Sequence, residues 1–465
     1  MNINEPSTIA AIATPFGTGG IGIIRISGPL TLKTVQAIFR TKSATATGFP
    51  ELEHRKIYVG FIIDPVHLTF IDEAVLFVMR SPRSYTCEDV AEIQLHGSAV
   101  VLHTILEIIL SLGVSLAEPG EFTKRAFLNG RIDLIQAESI IDLLQAKTRI
   151  SASLSSSLLK GGLGLTLERI KRELLELLSL INASIDFPDE EIPVPPAGSL
   201  IERMEAIIET DLNALINSYH ANRYLKEGVK IGIAGPPNVG KSSLLNCLIQ
   251  KERSIVTPIP GTTRDIIEDS FMLNGIPMVI SDTAGLHETQ DPVEIIGIAR
   301  ARSHLKETDV ILLVFDASKE IGSMETQIHD DLCQNNIILV FNKMDLMVPN
   351  HPPDTRSFNH ILDTVFISAK YGQGIFTLKE AILRAVHPES TESIHPIVPN
   401  LRQQTGLRFI EERLLEAKNN LMQIHPIELI AIDLQAALDK IDEITGENTP
   451  VDIFDMIFNQ FCIGK

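Results

Sequence analysis

Gly235-Pro-Pro-Asn-Val-Gly-Lys241-Ser242 carries the strongest chemical signal in the chain, because it has the spacing GxxxxGK[ST] between a strand-like run (VKIGIA) and a helix-like one (SSLLNCLIQ). Main-chain N–H groups over Asn238, Val239, Gly240, Lys241, Ser242 and Ser243, the positive N-terminus of the helix and the Lys241 ammonium would surround the β- and γ-phosphates of a nucleotide. The Ser242 hydroxyl would bind Mg²⁺. A glycine turn with no ligand is the bland alternative, and the strand before and helix after argue against it.

Three further motifs follow in the order a guanine-nucleotide switch needs. Asp282-Thr283-Ala284-Gly285 ends the run PMVIS, where the aspartate can hold Mg²⁺ through water and the glycine N–H can sense the γ-phosphate. Asn342-Lys343-Met344-Asp345 ends the next-but-one strand-like run; its aspartate can accept from guanine N1–H and N2–H₂, a donor pair adenine lacks, so GTP is favoured over ATP. Ser368-Ala369-Lys370 ends the last such run and would meet the base through its backbone. Thr263, in Gly261-Thr262-Thr263-Arg264-Asp265, is the candidate second Mg²⁺ ligand on a switch loop. Arg264 reads either as an arginine finger in cis or as an ordinary ion pair. Leu286 stands where a Ras-like GTPase has its water-orienting glutamine, and leucine cannot hydrogen-bond water. The polar group must come from elsewhere; Glu288, Asp291 and Glu294 are all available, and spacing does not choose among them. A monovalent cation could supply positive charge at the phosphates, with the Asn238 side-chain carbonyl as a ligand.

These residues need a scaffold, and the sequence divides into four stretches. Residues 1–125 mix glycine-rich turns (GTGGIG) with short β-type runs (IGIIRIS, EAVLFVMR) and a helix-like stretch from Ser98 to Leu112, which predicts an α+β domain. Residues 126–227 show long helical periodicity, as in LERIKRELLELLSLINASI, interrupted by the four prolines of FPDEEIPVPPAG. Residues 228–388 alternate continuous apolar runs with helical segments, the pattern of a mostly parallel α/β sheet. Residues 389–465 are helical again. The expectation is one helical domain, discontinuous in sequence, with a P-loop α/β G domain inserted in it.

The chain has 465 residues, 40 Lys+Arg against 59 Asp+Glu, and 44% hydrophobic residues. That balance excludes a disordered or low-complexity chain. The net charge of −19 speaks against a broad basic face for nucleic acid. Yet the acidity is uneven. Residues 1–130 hold 10 basic and 12 acidic residues, 228–388 hold 14 and 19, and the helical remainder 16 and 28. Cys87, Cys247, Cys333 and Cys462 form no ligand or disulfide spacing, which points to a reducing cytoplasm. The N-terminal residues lack a signal-peptide pattern, and Val100–Leu116 is broken by His103 and Glu107, so no membrane span is expected.

IATPFGTGGIGIIRISG, PGEFTKRAFLNGRIDLIQAE, GPPNVGKSSLLN, GTTRD, DTAGLHETQDPVE, NKMD and the closing FCIGK together resemble, over essentially the whole chain, the MnmE (TrmE) family of tRNA uridine-modification GTPases. The resemblance implies an N-terminal tetrahydrofolate-binding domain that also forms the homodimer. It implies a K⁺ held by Asn238, Thr257, Ile259 and Thr262, with the segment Thr257-Pro258-Ile259-Pro260-Gly261 bordering the nucleotide. Mg²⁺ would sit on Ser242 and Thr263, and Glu294 would activate water beside Lys241. Folate, as the 5-formyl or 5,10-methylene form, would be contacted by Arg25, Glu88, Arg131 and Lys465, with Cys462 nearby as a candidate catalytic group. Residue type alone would assign each of those four ionic side chains to a surface ion pair. The partners implied are tRNA and the FAD- and NADH-using MnmG (GidA), as a heterotetramer with two copies of each, adding a (carboxymethyl)aminomethyl group at C5 of the wobble uridine. GTGGIG lacks the strand-to-helix setting of a flavin fingerprint, so redox chemistry would belong to that partner. Two rivals are a GTP-driven assembly or ribosome-associated switch, and a stand-alone folate one-carbon transferase with a regulatory G domain.

Overall fold

The computed structural model describes residues 7–15, 17–41, 52–186, 196–250, 269–281, 305, 308–332, 335–347, 353, 355, 358–386 and 396–465. The chain forms two compact units, one of Met1–Leu144, Ser156–Asn213 and Thr405–Lys465, the other of Gln145–Ser155 and Ala214–Gln404. The second is therefore inserted in the first, as the two separated helical stretches suggest.

In the first unit the described strands form a seven-stranded sheet in the order β3-β4-β5-β6-β2-β1-β7. Its strands are β1 (Ile9–Ile12), β2 (Gly19–Ser27), β3 (Phe39–Thr41), β4 (Ile57–Ile63), β5 (Phe70–Met79), β6 (Val90–Gly97) and β7 (Ser115–Leu116). All neighbours are antiparallel except β1 with β7. The strands alternate as a one-sided sheet requires. Ala74, Leu76 and Val78 of β5 point inward, onto Val35 and Ile38 of α1 (Thr31–Ile38) and Leu102, Ile105 and Ile109 of α2 (Ala99–Ser111). The opposite face keeps Ile57 and Val59 exposed and Val75 and Phe77 half-buried. The glycines Gly19, Gly20 and Gly22 lie within β2, not at a helix start.

Helical segments complete this unit. In α6 (Gly162–Asp186), Leu163, Leu167, Ile170, Leu174, Leu177 and Ile181 recur on one face, which packs against the helix Ile427–Thr445. The helix Val451–Phe458 lies on α3 (Glu121–Leu128) and α4 (Leu134–Gln145) through Leu134, Ile141, Ile457, Phe458 and Phe461. Gly446 ends the preceding helix in a left-handed turn (φ 99°), where a Cβ would stand 2.6 Å from the Phe127 ring. This packing delivers the last residues to the N-terminal sheet.

In the second unit the described strands form a six-stranded sheet in the order β13-β12-β11-β8-β10-β9. They are β8 (Val229–Ala234), β9 (Asp269–Leu273), β10 (Ile276–Ser281), β11 (Val310–Asp316), β12 (Ile337–Asn342) and β13 (Ile361–Phe366). Every pairing is parallel except β9 with β10. β11 and β12 are buried along their whole length, which explains their continuous apolar sequences. The phosphate-loop motif follows β8, the Asn342–Asp345 motif begins at the end of β12 and Ser368-Ala369-Lys370 follows β13, all at carboxyl ends of strands, the usual location of ligands in such sheets.

Candidate functional site

β8 runs into the loop Gly235–Gly240, and α9 (Lys241–Gln250) starts directly after it. The loop needs its glycines. Gly235 has φ +143°, and a Cβ there would lie 2.1 Å from the Val314 carbonyl oxygen; at Gly240 (φ +96°) it would lie 2.3 Å from Asn342 Nδ2. Asn238 also takes a left-handed conformation (φ 60°). Lys241 Nζ donates to the Gly235 and Pro236 carbonyls at 2.8 and 2.7 Å, so its ammonium is held over the loop's concave side. Ser242 and Ser243 open α9, with their N–H groups at its positive end.

The guanine-recognition motif is tied to this loop. Asn342, at the end of β12 and 3% exposed, donates from Nδ2 to the Val239 carbonyl (2.8 Å) and accepts at Oδ1 from the Ala369 N–H (2.9 Å). One amide thus joins the phosphate loop to the Ser368-Ala369-Lys370 turn. Lys343 Nζ donates to the Asn238 carbonyl (2.8 Å) and to Asp316 Oδ2 (2.7 Å). Asp345 Oδ1 accepts from the buried Ser368 hydroxyl at 2.6 Å, which ties the carboxylate to the Ser368-Ala369-Lys370 turn. Burial alone would raise the Asp316 carboxyl, but Lys343 and the Ser318 N–H and hydroxyl outweigh it and hold the group below the usual carboxylate range. Asp316 escapes a motif search because it is merely the last residue of an apolar strand. The other predicted residues of the G domain, Thr257, Pro258, Ile259, Pro260, Gly261, Thr262, Thr263, Asp282, Thr283, Ala284, Gly285 and Glu294, lie outside the described residues. Arg264, Leu286, Glu288 and Asp291 do as well.

In the first unit, the tail after Phe461 lies along the start of α3 and the end of β1. Ile463 bridges Pro119, the Phe122 N–H donates to the Lys465 carbonyl (3.1 Å), and a Cβ on Gly464 (φ +95°) would meet the Ile12 carbonyl oxygen at 2.5 Å. Arg25 joins the tail to the sheet. It donates from NH1 to the Gly464 carbonyl (3.2 Å), pairs with Glu92 (2.8 Å), and its guanidinium lies 5.4 Å from the Tyr85 ring centre. Arg131 reaches the same tyrosine, with its guanidinium 4.7 Å from the ring centre and a bond to the Tyr85 carbonyl (3.0 Å). Burial, and then the nearby Arg25, push the Lys465 ammonium below its ordinary value. Three of the four predicted folate contacts are therefore gathered around Tyr85 and the tail.

Glu88, the fourth, accepts from the Ser27 hydroxyl (2.6 Å) and from Arg125 NH1 (3.1 Å to each oxygen), and Arg125 also pairs with Glu121 (2.7 Å). A carboxylate has about four lone-pair directions, so Glu88 keeps acceptor capacity for a further donor. Arg25, Arg131 and Lys465 carry positive charge and Glu88 negative charge, residue types that suit a ligand carrying carboxylates and an N–H-rich ring. Cys462 is exposed, and its carbonyl accepts from the Lys465 N–H. Arg125, Glu92 and Tyr85 were not singled out from the sequence. The only signal for Arg125 is Glu121, four residues before it on α3.

Comparison with known proteins covers the whole chain. Residues 8–131 match the family model described as GTP-binding protein TrmE N-terminus, and residues 134–462 match the MnmE helical domain. The tRNA modification GTPase MnmE of Carboxydothermus hydrogenoformans is 41% identical over 98% of this chain and 99% of its own length. That of Aquifex aeolicus is 40% identical over the full length of both. Among solved structures, Era in complex with MgGDPNP and a segment of 16S ribosomal RNA is 26% identical over 40% of this chain and 66% of its own, with a TM-score of 0.28. Among the described residues no helix is long and apolar enough to cross a membrane.

Proposed function

Because the chain belongs to the MnmE (TrmE) family of tRNA modification GTPases, we propose that it is a K⁺-dependent GTPase that works with the flavoprotein MnmG on the wobble uridine of certain tRNAs. The two would install a (carboxymethyl)aminomethyl group at C5, with a tetrahydrofolate one-carbon unit. The observation that supports this beyond GTP hydrolysis is the meeting of Arg25, Arg131 and the Lys465 tail around Tyr85, with Glu88 held by Ser27 and Arg125. A plain GTP-driven assembly switch has no use for such a site.

In this reading the arginines and Lys465 hold the carboxylate tail and ring oxygen of folate. Glu88, fixed by Ser27 and Arg125, accepts from its ring N–H groups. Bound folate supplies the one-carbon unit. At the nucleotide, Lys241 and the α9 N-terminus hold the phosphates, with Mg²⁺ on Ser242 and Thr263 and K⁺ on Asn238, Thr257, Ile259 and Thr262. Asn238 offers a side-chain carbonyl of the kind a monovalent cation takes, on a left-handed residue of the phosphate loop. Glu294 is assigned to the attacking water and Cys462 to the modification site. Ile57, Val59, Val75 and Phe77 on the open face of the sheet suit a homodimer through the N-terminal domain, in the cytoplasm.

Mass spectrometry of tRNA nucleosides from a deletion strain tests the proposal: C5-modified wobble uridine should disappear. Unchanged modification would leave the assembly-switch reading in its place. GTP turnover in K⁺ and in Na⁺ tests the cation separately, and equal rates would remove it.

A further inference from the structure

We propose that Asp316 is a positioning residue for nucleotide binding, which acts through Lys343 to lock the guanine-recognition motif and the phosphate loop into one body. Asp316 ends β11 directly beside Asn342 at the end of β12. Its side chain is 5% exposed. One carboxylate oxygen accepts from the Ser318 N–H (3.1 Å) and hydroxyl (2.7 Å), and the other from Lys343 Nζ (2.7 Å). The carboxylate is therefore a fixed anion at the carboxyl end of an inner strand.

Lys343 is the moving part. Its backbone is left-handed (φ 65°), its side chain is one-third exposed, and its ammonium spans from Asp316 to the main-chain carbonyl of Asn238, 2.8 Å away. An ordinary ion pair would end on the sheet. This one ends on the phosphate loop, at a residue that is itself left-handed and without a glycine's freedom. A flexible lysine alone would lose much side-chain entropy to hold that carbonyl. The buried carboxylate removes most of its alternatives in advance, so the loop is shaped before nucleotide arrives. Asn342 makes the parallel strut one residue earlier, to Val239, but it is uncharged and needs no counter-ion.

Fluorescent-GDP binding to the full chain, together with steady-state GTP hydrolysis, tests the proposal. Asp316→Asn preserves volume and an acceptor oxygen while removing the charge. The Kd for GDP should rise about tenfold, the scale of one charge-assisted hydrogen bond, with kcat at saturating GTP within about twofold. Lys343→Met should weaken binding at least as much, and the double variant should bind no worse than Lys343→Met alone. An unchanged Kd in Asp316→Asn, or losses that multiply in the double variant, would overturn the proposal. Should Asp316→Asn fail to fold, Ser318→Ala carries the test. It should raise Kd about twofold, and that rise should vanish on a Lys343→Met background; a rise that persists there counts against the lock.

Discussion

Around the phosphate loop the backbone is set at the carboxyl ends of parallel strands and held by glycines whose Cβ would strike a backbone oxygen or the Asn342 amide. The N-terminal cluster is instead built of side chains from β2, the Tyr85–Glu92 stretch, α3 with the turn after it, and the chain's last residues. The first arrangement is rigid and intolerant of small changes, because a backbone cannot step aside. The second holds the ion-paired Arg25 and Arg125 together with Arg131 on Tyr85, side chains that can be removed singly at a moderate cost.

The largest test of that contrast exchanges glycines. Gly235→Ala should abolish GTP binding by more than about a hundredfold and cost roughly 3 kcal/mol of stability, because its Cβ has nowhere to go. Gly130→Ala, beside Arg131, has φ +70° but meets nothing within 4 Å, so it should cost only about 1 kcal/mol and leave GTP turnover intact. Thermal denaturation and nucleotide titration check both, and comparable losses would erase the distinction. Next in size, Asp345→Asn should reduce the preference for guanine over adenine nucleotides by about 10- to 100-fold, the value of a paired charge-assisted contact. Competition binding reads this, and retained preference would take base recognition away from Asp345.

Arg25→Gln should weaken 5-formyltetrahydrofolate about tenfold by calorimetry, with GTP turnover within about twofold. A matching loss of hydrolysis would mean that the two sites are not separate. The smallest effect concerns pH. The Lys465 ammonium has a folded pKa below its ordinary 10.5, so between those two values the unfolded chain binds more protons and stability should rise with pH. Below the folded value both states are protonated and the dependence disappears. Urea unfolding from pH 8 to 10.5 should show this rise in the native chain and a smaller one in Lys465→Met; equal slopes would exclude Lys465 as its source.

Legibility in the sequence followed the same division. The P-loop, Asn342-Lys343-Met344-Asp345 and Ser368-Ala369-Lys370 were readable because each is a short run whose local backbone geometry dictates its residues. The parallel sheet was readable from apolar runs buried on both faces, and the inserted arrangement from the two similar helical stretches. Arg25, Glu88, Arg131 and Lys465 were reached only through likeness to a family, since an isolated arginine or glutamate carries no local mark of its partner.

The sequence by itself thus determined the fold classes, the nucleotide chemistry and its preference for guanine, because contacts over a few residues impose the residue types. Tertiary structure alone decided that Arg25 meets Gly464 across 439 positions, that Glu88 is held by Arg125 and Ser27, and that Asp316 anchors Lys343. Such meetings depend on how helices and strands far apart in the chain pack, and no spacing rule encodes them.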